Sequence, residues 1–157
     1  MQTIEKKSLK VGKYVNSKHV DNVIRNYKQE RWIQNSEKLG KEDSLSAWWS
    51  VEELEEFIEH AKTNGADGVK FYFGAYDKEN APNPDYAGLQ TLVMVATKQN
   101  QTGSGVKNKD LYINTEKGNK ILAYNAGALC PPYCLGEDNN NIGVTLIDNG
   151  EKGFVVI

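Results

Sequence analysis

The chain has 157 residues, of which 39% are hydrophobic and 25% charged, with a formal net charge of −2. That balance excludes a disordered chain, and the length suits one domain able to bury roughly 70% of its unfolded surface. No apolar run approaches the ~20 residues of a membrane span, and the lysine-rich start, residues 1–13, has no apolar core behind it as a secretory signal would. A soluble, cytoplasmic, single-domain protein is expected over residues 1–157, with no membrane association.

The charge is unevenly spread. Residues 1–41 hold ten Lys or Arg against four Asp or Glu, while residues 42–157 hold nine against seventeen. The plain expectation is that the basic segment docks on the acidic remainder of its own chain or of a second copy. Nucleic-acid binding is not expected, because the lysines are dispersed and no recognition motif accompanies them.

In chain order, residues 1–15 read as an extended arm bearing Ile4, Leu9, Val11 and Val15. Asn16 or Ser17 caps a first helix, and Val20, Val23, Ile24 and Tyr27 follow at helical spacing. The stripe weakens at Arg31 and Gln34, Trp32 and Ile33 fall off it, and Gly40 ends the segment. A second helix opens on the capping box Ser50-x-x-Glu53 and carries Val51, Leu54, Phe57, Ile58 and Ala61 on one face. Gly65 suits a left-handed position after it. Residues 16–65 form the helical part.

Residues 66–157 read as mainly β. Val69–Tyr76 alternates as a strand, with Phe71 and Phe73 opposite Tyr72 and Tyr76. Leu89–Thr97 is a central strand buried on both faces, and 98–109 is a polar, Gly-containing flexible loop. Hairpins are expected from 111–114 with 121–124, and from 142–147 with 154–157. Helices followed by strands predict an α+β fold, with two N-terminal helices packed on a mainly antiparallel sheet of about six strands.

Asn26-Tyr27-Lys28, the helix Val51–Ile58, Gly68–Gly74, Leu89–Thr97 and Cys130-Pro131-Pro132-Tyr133-Cys134 together resemble an uncharacterised family of small bacterial α+β proteins with a Cys-Pro-Pro-x-Cys element. The loop at 98–109 departs from that pattern. The resemblance implies one α+β domain and brings no activity with it.

Cys130 and Cys134 are the only cysteines. Pro132 disfavours a helix through them, so they sit on a stiff loop. Three readings stand: a structural loop with reduced thiols or a loop-closing disulfide, half of a metal site, or a redox dithiol. The metal reading needs two more ligands, and His19 and His60 are the only histidines. The redox reading lacks the Cys-x-x-Cys spacing. In a reducing cytoplasm two free thiols are expected, with a disulfide accessible on oxidation and no metal.

His60 lies off the apolar face of its helix and His19 precedes the first apolar position of its own. Neither has a visible acid partner, so neither is a strong base candidate. Trp48 and Trp49 precede the second helix, either one stapling it to the core while the other is half-exposed or both forming an aromatic ligand platform. The strand face of Tyr72 and Tyr76 is either a binding surface or the rim of a second core layer. Asp77, Glu79, Asp85, Glu137 and Asp138 cluster in loops without calcium-loop spacing, and no phosphate loop or Gly-x-Ser-x-Gly is present. The expected function is a non-enzymatic binding or protein-interaction module with a protein partner or a homo-oligomeric state and no cofactor. The alternative is a small thiol-redox or metal-binding protein built on Cys130 and Cys134.

Overall fold

Residues 10–103, 105–134, 146–148 and 154–156 are described by a computed structural model of the chain, with backbone only at 101, 102, 106, 146–148 and 154–156. A long N-terminal helical stretch begins at α1 (Ser17–Tyr27), capped by Asn16, whose side chain accepts from the His19 N–H. It continues through a π-helical segment, Lys28–Trp32, into α2 (Ile33–Leu39). The π segment lies where the apolar stripe breaks down. One residue more per turn rotates the following face, which lets Trp32 point inward although it lies off the α1 stripe. Gly40, at φ +74°, ends α2 in the left-handed region that a side chain disfavours.

Strand β1 (Ser46–Trp48) follows, then α3 (Val51–Thr63) with its capping box formed between Ser50 and Glu53. The remaining strands are β2 (Gly68–Ala75), β3 (Gln90–Thr102), β4 (Gly105–Asp110), β5 (Tyr112–Thr115), β6 (Gly118–Ile121), β7 (Ala123–Tyr124), β8 (Ala128–Cys130), β9 (Leu146–Asp148) and β10 (Phe154–Val156). All their pairings are antiparallel.

The fold is α+β, but the expected six-stranded sheet is replaced by several smaller ones. Four strands form the main sheet, in the order β2-β3-β4 with β7 also on β3, while β1–β8, β5–β6 and β9–β10 are separate pairs. The helices differ too: α3 lies on the main sheet as expected, whereas α1 and α2 form one interrupted rod.

The segment 98–109 is corrected from loop to hairpin. Strand β3 runs on to Thr102 and pairs with β4 from Thr97–Asp110 to Thr102–Gly105. A polar two-stranded ribbon is satisfied by its ladder hydrogen bonds and carries no apolar signal to betray it. The β5–β6 turn is also tighter than expected, with Thr115 opposite Gly118. Pairing of β9 with β10 falls within the second predicted hairpin, whose turn lies outside the described residues.

Two apolar clusters hold the sheet. Phe57 and Ala61 of α3 pack with Met94, Ala96 and Leu122, and Trp49, Leu54, Val69 and Tyr124 close around them. Tyr86, Leu89 and Leu129 form the second cluster, with Leu39, Ala47, Tyr76 and Ala81 against it. Met94 and Ala96 put β3 in the first cluster, and Leu89, the residue just before β3, belongs to the second.

Among the described residues Arg25 of the basic segment pairs within α1 with Asp21, while Lys62–Glu59 and Lys70–Asp110 are ion pairs elsewhere. Neutral hydrogen bonds from Tyr27, Trp32 and Ser36 tie the α1–α2 rod down. Ile4 and Leu9 lie outside the described residues, while Val11 and Tyr14 of the arm are exposed.

A candidate binding groove between the helical rod and the sheet

The link between rod and sheet is built on Asp43, only 3% exposed. Trp32 Nε1–H donates to the Asp43 carbonyl at 2.7 Å, and the Asp43 N–H donates to Ser36 Oγ at 2.9 Å. Asp43 Oδ1 accepts from the Ser44 and Gln90 N–H groups, both at 2.8 Å. Ser44 Oγ–H donates to the Gln90 carbonyl and Tyr27 O–H to Gln90 Oε1. A buried carboxylate is tolerable here because its oxygen is met by two backbone donors. The φ of Gly88 is +76°, and a Cβ there would lie 3.0 Å from Leu39 Cδ2, so glycine lets α2 approach.

Beside this anchor lies a groove of about 750 Å³. Arg31, Asn35 and Lys38 line its helical wall at i, i+4 and i+7, one side of the rod. Phe73, Gly74 and Ala75 line the sheet wall, and Gln90 and Asp43 also border it. A smaller hollow of about 170 Å³, lined by Ser44, Ala47, Leu92 and Leu129, shares Tyr27, Phe73 and Gln90 with the first. The Tyr27–Gln90 bond therefore stands between the two. Burial foremost, then the Asp43 carboxylate, pushes the Tyr27 hydroxyl above its ordinary pKa, so it is a neutral donor at physiological pH. Arg31 and Lys38 form no ion pair among the described residues. The groove thus combines an apolar and aromatic lining with two cations at its rim.

The four aromatics read as candidate ligand-binding residues are not gathered in one place. Trp49 belongs to the first cluster, where its ring would lie 2.7 Å from a Cβ on Gly127. Tyr76 stacks on Tyr86, with ring centroids 6.0 Å apart. Trp49 Nε1–H and Tyr76 O–H do converge on Asn125, at its carbonyl and its Oδ1. Tyr72 stands elsewhere, donating to Asp110 Oδ2 at 2.8 Å beside Lys70. Trp48 is partly exposed on β1.

Cys130 and Cys134 are joined in a disulfide, the oxidised form expected to be accessible to this pair. Their loop leaves β8, which pairs with β1. Tyr133 turns its ring edge on Tyr86 and donates its hydroxyl to Asp85 Oδ2 at 2.7 Å, and this bond raises the Tyr133 pKa. Closing so short a loop stabilises by about 2 kcal/mol in the chain-entropy model. Replacing both cysteines with serine is expected to lower the unfolding free energy by about that amount, read by urea titration, with the fold retained.

Both histidines are exposed, and among the described residues no three His, Cys, Asp or Glu side chains gather as a metal site would require. Glu137 and Asp138 lie outside the described residues. Nor is any described helix long and apolar enough to cross a membrane. Asp43, Gln90 and Asn125 were missed by sequence reasoning. Gln90 gave one signal, as the polar residue in an otherwise apolar run. No family model, curated protein or solved structure matches the chain.

Proposed function

We propose that this protein is a non-enzymatic binding module that takes an acidic, apolar-bearing segment of a partner protein in the groove between α1–α2 and β2. The supporting observation is the pairing of Arg31 and Lys38, one helical side apart from Phe73 and Leu39, around a single hollow. Carboxylates of the segment meet the two cations, and its apolar side chains lie on the aromatic and aliphatic lining.

A fluorescent peptide of alternating Glu and Leu, with a Lys–Leu peptide of equal length as control, tests the reading by anisotropy. The Glu–Leu peptide is expected to bind, and the Arg31→Ala/Lys38→Ala double variant to bind it about tenfold more weakly, since one charge-assisted hydrogen bond carries about that much. Equal binding of the two peptides, or of the two proteins, sinks the reading.

A second reading, thiol–disulfide exchange at Cys130–Cys134, is favoured by the bonded pair and the exposure of Cys134. A measured reduction potential below about −300 mV would mark the bond as structural instead.

A further inference from the structure

We propose that two copies of this chain associate by antiparallel pairing of their β2 strands, centred on Tyr72. Strand β2 is the end strand of the main sheet, and among the described residues no strand pairs with its outer side. Its register with β3 is continuous from Gly68–Thr97 to Ala75–Gln90. The devices that guard an edge against pairing are missing from it: there is no proline, no bulge and no unpaired charge. Its one lysine, Lys70, is held by Asp110 Oδ1 at 2.9 Å and by the Tyr72 hydroxyl.

The backbone direction is set by β3. The Ala96 N–H donates to the Leu122 carbonyl and its carbonyl accepts from Leu111, so Ala96 faces away from β2. Its register partner Val69 therefore turns its own N–H and C=O to the free edge, and alternation does the same for Phe71, Phe73 and Ala75. The Tyr76 N–H, donated inward to Leu89, agrees with that parity.

A two-fold axis at Tyr72 uses all four outward residues of each copy. It sets Val69 opposite the partner's Ala75 and Phe71 opposite the partner's Phe73. Lys70 then faces the partner's Gly74, so no like charges oppose each other. Phe71 and Phe73 are 50% and 81% exposed, and the pairing gathers four such rings on one face of a continuous sheet. One strand pair is at the small end of interface sizes, so a dissociation constant on the order of 10 μM is expected.

Sedimentation equilibrium across roughly 1 to 500 μM brackets that affinity. Wild type is expected to pass from monomer to dimer. Phe71→Lys/Phe73→Lys opposes lysines in this register and should weaken the dimer at least tenfold. Phe71→Glu/Phe73→Lys places each glutamate opposite the partner's lysine and should restore it to within a few fold of wild type. Should either double variant fail to fold by circular dichroism, hydrogen exchange of wild type decides. The Phe71 and Phe73 amides should then gain protection with concentration. The inference does not rest on the groove, so Arg31→Ala/Lys38→Ala should dimerise as wild type does. A wild type that stays monomeric, a dimer indifferent to both charge pairs, or one lost with Arg31 and Lys38 overturns the proposal.

Discussion

Truncating Phe57 to alanine is expected to lower the unfolding free energy by about 3–5 kcal/mol. Phe57 is 6% exposed and is the large side chain through which α3 meets Met94, Ala96 and Leu122. Its ring also lies 5.7 Å from that of Tyr124, centroid to centroid. The loss comprises the transfer free energy of the ring and the cavity left between a helix and a sheet that cannot both collapse into it. Against a typical stability of about 5–15 kcal/mol that threatens folding at physiological temperature. Ile58 is the internal control. It shares the apolar stripe in sequence but is exposed in the structure, so Ile58→Ala should cost under about 1 kcal/mol. Urea unfolding of both variants checks the pair, and similar costs would mean that α3 does not sit on the sheet through Phe57.

Asp43→Ala should cost about 3 kcal/mol, because it strips a buried carboxylate from two backbone N–H groups and leaves the Gln90 donor unmet. The effect is local as well as global. Asp43 joins the rod to the first residue of β3, so amide exchange at Gln90 and the fluorescence of Trp32, which bonds the Asp43 carbonyl, should both change. Asp43→Asn keeps a carbonyl acceptor at the same place and should cost less than half as much. If alanine and asparagine behave alike, the carboxylate is not what holds the rod.

Much of the local structure was legible before any tertiary contact was known. The Asn16 cap, the Ser50–Glu53 box and the positive φ at Gly40 and Gly65 each follow from residue chemistry within a few positions. Strand β2 and the buried half of β3 announced themselves by alternation and by a continuous apolar run. The candidate groove was far less visible. Arg31 reads as a weak point of a helical stripe, Asn35 and Lys38 carry no signal of their own, and nothing local marks Asp43 as a buried acceptor. Of Trp48, Trp49, Tyr72 and Tyr76, read as candidate ligand-binding residues, Trp49 and Tyr76 meet at Asn125, while Tyr72 stands apart at Asp110.

What the sequence by itself determined, then, is the α+β class, the two helix starts and the burial of Phe57, because caps and periodic apolar faces act over distances of one or two turns. Tertiary structure alone decided the π segment at Lys28–Trp32, the β1–β8 pair, the extension of β3 to Thr102 and the groove itself. Each of these depends on a hydrogen-bond partner that local sequence does not mark: Trp32 on Asp43, Ser46 on Cys130, Gln99 on Asp67, Tyr27 on Gln90. Polar residues satisfied in this way carry no periodic signature, since their burial is settled by the donor or acceptor the fold brings to them.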